Sequence, residues 1–302
     1  MSIARIGMAP VTIPGVSCEW LLVDGSSLIF RSYYGARRRA GSPGEEHMNA
    51  IPPFLDRLAR VIEQLRPHRL MVAEDRAWRP AWRVELIDSY KSHRVAAPVP
   101  PDLAPQLQVI GELLEAIGID VVGVDDHEAE DVIATLTGLA SGTVEILSGD
   151  RDLFALVEGT RVRILYPEKG GYAVIDEEEV TRRYEIPGRR YGEFAILRGD
   201  PSDGLPGLKG VGAVGGAAMI RRYGSIEGLL RERALRDSDR DYLERAMRVV
   251  PPVADLPISL PPGRRARYPD DQGLMEALIE RHNAKEPSSR LLAALHAPAD
   301  RE

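Results

Sequence analysis

Acidic side chains follow each of four short apolar segments, at the point where each segment ends. If the segments are parallel strands of one sheet, their carboxyl ends meet at one edge, where such folds bind their ligands. Carboxylates gathered there repel one another unless cations neutralise them, and oxygen ligands suit Mg²⁺ or Mn²⁺. The candidate metal ligands are Asp24, Asp75, Glu128, Glu130, Asp131, Asp150 and Asp152.

The same acidic residues also have an explanation that involves no metal. Asp after a strand often caps the next helix, and Glu in a first helical turn interacts favourably with the helix dipole. For any one of these residues the two explanations are evenly matched. Capping alone does not account for acids at all four segment ends, so the sequence favours a metal site.

The elements that position these acids can be predicted from hydrophobic spacing. The four apolar segments are rich in β-branched residues, which is typical of buried strands, and helical spacing separates them. Strands alternating with amphipathic helices predict an α/β fold with a central, mostly parallel sheet flanked by helices. We expect strands at residues 20–23, 70–73, 119–124 and 144–147, helices at 54–65 and 107–117, an edge hairpin at 162–175, and two C-terminal helices at 273–282 and 288–296.

Composition limits the class of protein less than the acids do. The chain has 302 residues and a formal charge of −7, and a net negative charge disfavours binding to nucleic acid. Basic residues are nevertheless locally concentrated: residues 76–95 carry five Lys or Arg, and Arg37, Arg38 and Arg39 are consecutive. The single cysteine, Cys18, excludes an internal disulfide and fits a reducing compartment. We find neither a signal peptide nor an apolar run near the roughly twenty residues of a membrane span, and expect a cytoplasmic, nucleoid-associated protein.

Five motifs occur together in the order and spacing of the 5′-nuclease, or flap endonuclease, family. From about residue 20 to 230 the chain resembles a stand-alone version of the 5′-3′ exonuclease domain of bacterial DNA polymerase I. The motifs are Leu22-Val23-Asp24-Gly25, Tyr90-Lys91-Ser92-His93-Arg94, Glu128-Ala129-Glu130-Asp131-Val132-Ile133-Ala134, Gly149-Asp150-Arg151-Asp152-Leu153 and Gly199-Asp200-Pro201-Ser202-Asp203-Gly204-Leu205-Pro206-Gly207.

The resemblance implies a PIN-like nuclease core with a helical arch and a C-terminal helical region containing a helix–three-turn–helix. On this basis we expect an N-terminal extension (1–18), an α/β core (19–175) with the arch at about 76–105, and a helical region (176–302). The helix–three-turn–helix would occupy about 199–232, with a helix beginning near Ala217. This architecture would act on branched or flapped DNA.

The resemblance also assigns roles to residues. Asp200 and Asp203 would complete a second metal site, giving two divalent ions. Apart from the resemblance, Glu74, Asp125 and Asp126 are spare acids near the predicted site and could serve a third ion. Tyr90, Lys91 and Arg94 would contact the scissile phosphate, with Tyr90 able to stack on an unpaired base. Duplex contacts are expected from Lys209, Gly210 and Gly212, with K⁺ on the backbone carbonyls of that turn, and from Arg79 and Arg83, which alternate with Trp78 and Trp82.

Three residues depart from the family pattern. Glu130 stands where Asp is usual, Glu74 where Phe is usual, and Val214 where Lys is usual. The favoured function is a monomeric, structure-selective 5′-flap endonuclease and 5′-3′ exonuclease of DNA replication and repair, which could also remove RNA–DNA primers. The alternatives are a junction-binding relative with weakened catalysis and another metal-dependent hydrolase, such as a ribonuclease or phosphatase.

Overall fold

One six-stranded sheet runs through the centre of the computed structural model, which describes residues 18–40, 49–96, 98–232 and 235–297. The spatial order confirms the predicted parallel sheet and edge hairpin: five strands are parallel, and the sixth is antiparallel to the fifth. In chain order the strands are β1 (Trp20–Asp24), β2 (Arg69–Ala73), β3 (Asp120–Val122), β4 (Val144–Leu147), β5 (Val162–Glu168) and β6 (Gly171–Ile175), and in space they lie as β3-β2-β1-β4-β5-β6.

Helices account for most of the remaining described residues. Those predicted at 54–65, 107–117, 273–282 and 288–296 are confirmed within a few residues at their ends. In the described part of the chain, no helix is long and apolar enough to cross a bilayer. The helices are α1 (Gly25–Ala40), α2 (Ile51–Leu65), α3 (Ala81–Leu86), α4 (His93–Ala96), α5 (Ala104–Ile117), α6 (Ala129–Leu139), α7 (Glu177–Tyr184), α8 (Tyr191–Arg198), α9 (Ala213–Tyr223), α10 (Ile226–Leu230), α11 (Asp237–Val249), α12 (Gln272–Arg281) and α13 (Lys285–His296).

Each face of the sheet has its own hydrophobic core, because side chains alternate along a strand. From β1, Trp20 and Leu22 join a cluster that includes residues of α6, α8, α9 and α11. Leu21 and Val23 point to the other face, toward α1, α2 and α5. Burial on both faces explains why β1 has a continuous apolar sequence rather than an alternating one.

The last two helices return to the α/β part of the chain. Met275 and Leu278 of α12, and Leu291 and Ala294 of α13, are buried in the same cluster as α2 and α5. Helix α13 packs on α2, and α12 packs on α5. Both helices therefore contact the α/β part of the chain, although the sequence placed them in a helical region at residues 176–302. Hydrophobic spacing predicted these helices but contained no information on which face of the sheet they would cover.

Several predicted features fall partly outside the described residues. Of the predicted N-terminal extension only Cys18 is described, and it is buried. The backbone of Arg37, Arg38 and Arg39 belongs to α1, but their side chains lie outside the described part. The strand predicted at 119–124 is shorter than expected, since pairing with β2 stops at Val122.

Candidate active site

A cavity of about 450 Å³ opens at the carboxyl edge of the sheet. β1, β2 and β4 end there, α6 begins there, and the segments at 78–94 and 200–203 form its remaining walls. Eight of the nine predicted metal ligands line this cavity. They are Asp24, Asp75, Glu128, Glu130, Asp150, Asp152, Asp200 and Asp203.

Serine hydroxyls connect the acids at the ends of β1 and β4. Ser148 Oγ donates to Asp24 Oδ2 at 2.6 Å and accepts from the backbone N–H of Asp150 at 2.9 Å. The backbone N–H of Ser27 donates to Asp24 Oδ1 at 2.9 Å, so Asp24 also caps α1. Sequence reasoning missed these serines as site residues, although Ser148 lies within the segment Ser148-Gly149-Asp150.

Three carboxylates approach one another most closely. Glu130, Asp150 and Asp152 each place one oxygen within 4.8 Å of the other two, a donor set that suits a hard divalent cation. Burial, reinforced by Asp150 and Asp203, raises the pKa of Asp152 well above its usual value. Burial also raises the pKa values of Glu130 and Asp150. Such shifts mean that nearby positive charges do not offset the cost of burying these ionised carboxylates. A bound cation would offset that cost.

Asp24 and Asp75 extend this set of uncompensated acids. Burial, followed by the nearby charge of Asp75, raises the pKa of Asp24 to about 7. Burial also raises the pKa of Asp75, although its Oδ1 accepts from the N–H of Ala129, at the start of α6, at 2.7 Å. The donor chemistry therefore fits the predicted Mg²⁺ or Mn²⁺, and these residues could hold it directly or through water.

Glu128 differs from the other acids because its oxygens already have several cationic and hydroxyl partners. Its Oε1 accepts from Lys91 Nζ at 2.8 Å and from Arg94 Nη1 at 2.9 Å. Its Oε2 accepts from Tyr90 Oη at 2.7 Å and from Arg83 Nη1. Burial opposes the charged form, but Lys91, Arg83 and Arg94 outweigh it and lower the pKa of Glu128 to about 2. Glu128 thus holds in place residues 76–95, which contribute Arg83, Lys91 and Arg94 and are called the basic segment below.

Arg83 is not at the surface, which corrects its predicted role as a DNA contact. Its side chain is 0% exposed and lies among Glu128, Glu130 and Asp131. Burial disfavours the guanidinium, yet Glu130, Tyr90, Asp131 and Glu128 outweigh that penalty and raise the pKa of Arg83. Arg83 therefore holds α3 against the start of α6 and cannot contact a phosphate.

Asp131 is likewise corrected, because its carboxylate is used inside the protein. It accepts from Arg83 Nη2 at 2.6 Å, from the Val253 N–H at 2.8 Å, and from the Glu128 N–H at 3.2 Å as part of a capping box. It is fully buried and does not line the cavity. For Asp131, capping therefore replaces the predicted role as a metal ligand.

Tyr90 and Lys91 are both buried, with different consequences. The Tyr90 ring is 3% exposed and belongs to the hydrophobic core, so stacking on an unpaired base is wrong for this residue. Lys91 lines the cavity, and its Nζ lies 3.8 Å from Asp203 Oδ1 as well as near Glu128. Burial opposes its charge, but Glu130, Tyr90 and Glu128 raise the pKa of Lys91 well above its usual value. It is therefore a permanent cation at the cavity.

Trp78 contacts two flat groups at the cavity wall. Its ring stacks on Phe30 with centroids 5.0 Å apart and an interplanar angle of 16°. The Arg94 guanidinium carbon lies 4.3 Å from the centroid of the Trp78 ring, and Arg94 Nη1 also donates to the Trp78 carbonyl. Phe30 and His93 line the cavity but were not predicted; the only signal for His93 was its place within the Tyr90–Arg94 motif.

Arg79 is half-buried and acts on the backbone of its own segment. Its Nε donates to the Tyr90 carbonyl at 2.6 Å and its Nη2 donates to the Asp88 carbonyl. These bonds show that the guanidinium positions the backbone at Asp88 and Tyr90, and the predicted DNA contact of Arg79 stays a prediction.

The acids proposed for a third metal do not line the cavity. Glu74 pairs with Arg76 at 2.6 Å. Asp126 accepts from the Ala81 N–H, and both Asp125 and Asp126 are exposed. The structure therefore corrects the expectation of spare ligands at these three positions.

Asp200 and Asp203 lie in a turn that docks onto the basic segment. Asp200 accepts from Arg198 Nη2 at 2.8 Å and from the Ser202 N–H at 3.0 Å, while the Asp203 carbonyl accepts from the Lys91 N–H at 2.9 Å. The turn thus brings Asp203 into the cavity and fixes the Lys91 backbone.

The glycine-rich turn that follows is exposed. Lys209, Gly210 and Gly212 face solvent, and Gly210 has a φ of +81°. α9 begins at Ala213 with Gly212 as its N-cap, four residues earlier than expected. Val214, at the second position of this helix, is 84% exposed. The first turn of α9 therefore offers backbone N–H groups and an apolar side chain to an incoming ligand.

Comparison with known proteins gives consistent similarities. Residues 19–185 match the family model described as "5'-3' exonuclease, N-terminal resolvase-like domain". A 5'-3' exonuclease of Streptomyces coelicolor is 39% identical over 306 residues, covering 92% of this chain and 100% of that protein. The thermostable DNA polymerase I of Thermus thermophilus is 34% identical, covering 86% of this chain and 31% of the polymerase.

The fold is also similar to that of a solved nuclease. A crystal structure of the bacteriophage T5 flap endonuclease with DNA and metal ions superposes with a TM-score of 0.64 at 15% identity. The superposition covers 92% of this chain and 99% of the phage protein. At that identity the similarity concerns the fold alone.

Replacing Arg83 with methionine is expected to lower the free energy of unfolding by about 3–5 kcal/mol, because Asp131 would stay buried without the cation that it pairs with, and Glu128 and Glu130 would lose one cationic partner. Denaturant unfolding monitored by circular dichroism measures the change. The matched control is Arg182→Met, which breaks an exposed pair with Glu179 and should cost less than about 1 kcal/mol. Equal losses in the two variants would contradict the structural role of Arg83.

The metal-free protein is expected to lose stability between about pH 5 and pH 8. The folded-state pKa of Asp24, about 7, lies above its usual value of 3.8, so between these values the folded state binds a proton that the unfolded state has released. The stability that comes from binding this proton is fully present below the unfolded pKa and is lost as pH rises through 7. Thermal unfolding in EDTA should show the melting temperature falling by on the order of 2–4 °C.

The variant Asp152→Asn provides the control for this pH dependence. It removes one charge from the cluster, so at pH 8 the metal-free variant should melt above the wild type and gain less from added Mn²⁺. A wild-type melting temperature that rises from pH 5 to 8 in EDTA would show that the cluster carries no uncompensated charge.

Proposed function

Because this chain belongs to the 5′-3′ exonuclease family, we propose that it is a metal-dependent, structure-selective 5′-nuclease that cuts 5′ flaps and 5′ ends of DNA. The observation that carries the proposal is the convergence of eight carboxylates with Lys91 and Arg94 on one cavity. An anionic cluster alone would repel DNA. Carboxylates that bind metal beside two fixed cations can instead receive a phosphate.

The divalent ions would be held by Asp24, Asp75, Glu130, Asp150 and Asp152, and by Asp203 and Asp200, which line the same cavity. Two Mg²⁺ or Mn²⁺ ions, when bound, supply an activated water and neutralise charge on the phosphoryl oxygens and the departing 3′ oxygen. The protein's task is to hold these ligands in place, while the bound cations would keep them ionised. The serine and backbone hydrogen bonds to Asp24, Asp75 and Asp150 fix the positions of these carboxylates.

Lys91 and Arg94 are placed to hold the scissile phosphate. Among the described residues, Arg94 makes two side-chain hydrogen bonds, both through Nη1, whereas a guanidinium carries five N–H donors. Its planar fork suits two phosphate oxygens, and the Trp78 ring restricts its orientation. Both cations are anchored on Glu128, so phosphate binding requires little rearrangement of the cavity.

The exposed turn before α9 supports binding to duplex DNA. Backbone N–H groups at a helix start bind phosphates without reading sequence, as a structure-selective enzyme requires. We propose that Lys209, Gly210 and Gly212 contact the duplex backbone, and that carbonyls of this turn hold K⁺. The predicted arch and helix–three-turn–helix are part of the same proposal.

In the cell, such an enzyme would process flaps during DNA replication and repair. RNA–DNA primers would be substrates as well, because the cavity contacts phosphate rather than a specific sugar or base. We propose a monomer associated with the nucleoid, since one chain contains the complete set of ligands.

The decisive experiment is cleavage of a labelled double-flap DNA with Mg²⁺, with Mn²⁺ or with EDTA. We expect incision at the branch with either metal, none with EDTA, and a loss of at least about 100-fold in rate for Asp150→Asn, which removes one ligand charge. The control is Asp255→Asn, an equal charge change at an exposed residue outside the cavity. Tight binding with no incision in either metal would instead identify a junction-binding protein.

A second prediction concerns Val214 in the first turn of α9. If this turn faces the duplex, Val214→Lys should add one phosphate contact and steepen the slope of log K against log salt by about 0.9. Fluorescence anisotropy of a labelled flap at several salt concentrations measures the slope. The control is Leu139→Lys, exposed at the end of α6 that lies away from the cavity. An equal increase in both variants would mean that the turn does not contact DNA.

A further inference from the structure

Arg151 is a cation of the active-site cavity that no carboxylate holds in place. It lines the cavity, and its side chain is 41% exposed. Within the described residues, its guanidinium donates no hydrogen bond. The nearest carboxylate oxygen, Oδ2 of Asp200, lies 3.8 Å from Nη2 of Arg151 and already accepts from Arg198 at 2.8 Å. The donors of Arg151 are therefore available to a ligand.

Two other cations of the cavity differ from Arg151 in this respect. Lys91 and Arg94 both donate to Glu128, at 2.8 Å and 2.9 Å. Glu128 thus fixes their positions before any DNA binds. Arg151 lines the same cavity without such an anchor, because the closest acid is already paired with another arginine.

The turn that carries Arg151 is held by its backbone. The N–H of Asp152 donates to Asp150 Oδ1 at 2.9 Å, and the N–H of Phe154 donates to the Arg151 carbonyl at 2.9 Å. Leu153 and Phe154, which follow, are buried in the hydrophobic core. The turn therefore needs no contribution from the Arg151 side chain, and a substitution there should leave the fold intact.

Arg151 also does not neutralise the acids on either side of it in the sequence. Burial raises the pKa of Asp150, and it raises the pKa of Asp152 well above its usual value, whereas a paired cation would lower both. In the described part of the chain, Arg151 forms only the long ion pair with Asp200. Neutralisation of the acid cluster therefore does not explain this arginine.

Arg151 lies at a different place along the sheet edge from the two anchored cations. Glu128, which anchors Lys91 and Arg94, follows β3, whereas Arg151 follows β4, and β2 and β1 lie between these two strands. Tyr166 of the neighbouring strand β5 also lines the cavity. The cavity thus offers positive charge at two separate positions, as a strand with successive phosphates requires.

The neighbouring residue Asp200 indicates which part of the DNA reaches Arg151. Asp200 begins the residues that lead to the exposed turn of Lys209 and Gly210, which we propose to contact the duplex. In a 5′ flap, the cut strand is paired on the 3′ side of the scissile phosphate. Arg151 therefore lies between the proposed metal-binding acids and the surface that would hold the duplex.

We propose that Arg151 binds the first phosphate of the cut strand on the 3′ side of the scissile phosphate; this rests on the proposed nuclease function. The planar guanidinium can donate to two oxygens of one phosphate. Lys91 and Arg94 would hold the scissile phosphate and Arg151 its neighbour. Two adjacent phosphates held in this way determine which bond lies over the metal-binding acids, so Arg151 sets the position of the cut.

The test measures binding of double-flap DNA with Mg²⁺ in the Asp150→Asn background, where we expect slow cleavage. One phosphate at a time is replaced by an uncharged methylphosphonate, and the dissociation constants are compared by anisotropy. With Arg151 intact, neutralising the first phosphate on the 3′ side should weaken binding by about fivefold or more. With Arg151→Gln added, the same replacement should have no effect, because the contact is already absent.

The position of cleavage gives a second measurement, made with Asp150 intact. Wild type with Mg²⁺ should cut the unmodified flap at one main bond. Arg151→Gln should spread the cuts over neighbouring bonds, and Arg151→Lys, which keeps the charge, should restore part of the wild-type pattern. Both variants should melt at the wild-type temperature, since backbone hydrogen bonds hold the turn.

Arg281→Gln is the matched control for both measurements. Arg281 is exposed at the end of α12, outside the cavity, so the same change there should keep the methylphosphonate effect and the main cleavage bond. A methylphosphonate effect of equal size with Arg151 and with Arg151→Gln would refute the contact. Sensitivity only at phosphates on the 5′ side of the scissile one would refute it as well.

The outcomes separate this proposal from the nuclease function. Cleavage of the unmodified flap by wild type with Mg²⁺ or Mn²⁺ tests the nuclease function by itself. Efficient cleavage, together with an unchanged methylphosphonate effect in Arg151→Gln, would overturn only the phosphate contact of Arg151. No wild-type cleavage in either metal would overturn the nuclease function, and this contact with it.

Discussion

The buried carboxylate of Glu128 is the interaction on which the arrangement of the active site depends. Four groups from residues 83–94 donate to it, and each would face a large desolvation cost without this acceptor. The segment between β2 and α5 contains only short helices and could not fix these side chains by helix packing alone. A single charged anchor at the start of α6 positions Lys91 and Arg94 relative to the acids that follow β1, β2 and β4.

The acids at the carboxyl edge of the sheet therefore divide into two sets with opposite electrostatics. Glu128 and Asp131 are neutralised by protein cations and stabilise the fold, whereas Asp24, Asp75, Asp150 and Asp152 are buried beside one another and destabilise it when ionised. Mutual repulsion within the second set lowers the free energy of unfolding, and a bound cation would raise it again. The same division decides which acids can act on a phosphate and which cannot.

The sequence was sufficient for the sheet, its edge hairpin and the convergence of acids, because the positions and burial of the strands follow from hydrophobic spacing. It was insufficient for Arg83, Tyr90 and Asp131. A basic residue alternating with tryptophans has the same pattern whether it faces DNA or a buried carboxylate, and the choice depends on the distant Glu128. Phe30 gave no signal, since an aromatic residue in an amphipathic helix is usually part of a core.

Glu130 connects the two sets of acids, and its length explains how. Its Oε1 lies 3.0 Å from Arg83 Nη1, while a carboxylate oxygen of the same residue lies within 4.8 Å of Asp150 and Asp152. The family that the sequence resembles usually has aspartate here, one methylene shorter. With the longer side chain, one carboxylate reaches both the buried guanidinium and the acids that we propose as metal ligands. Arg83 therefore interacts with a carboxylate that lines the cavity, although Arg83 itself is buried. Glu130 at this position is thus compatible with a complete ligand set.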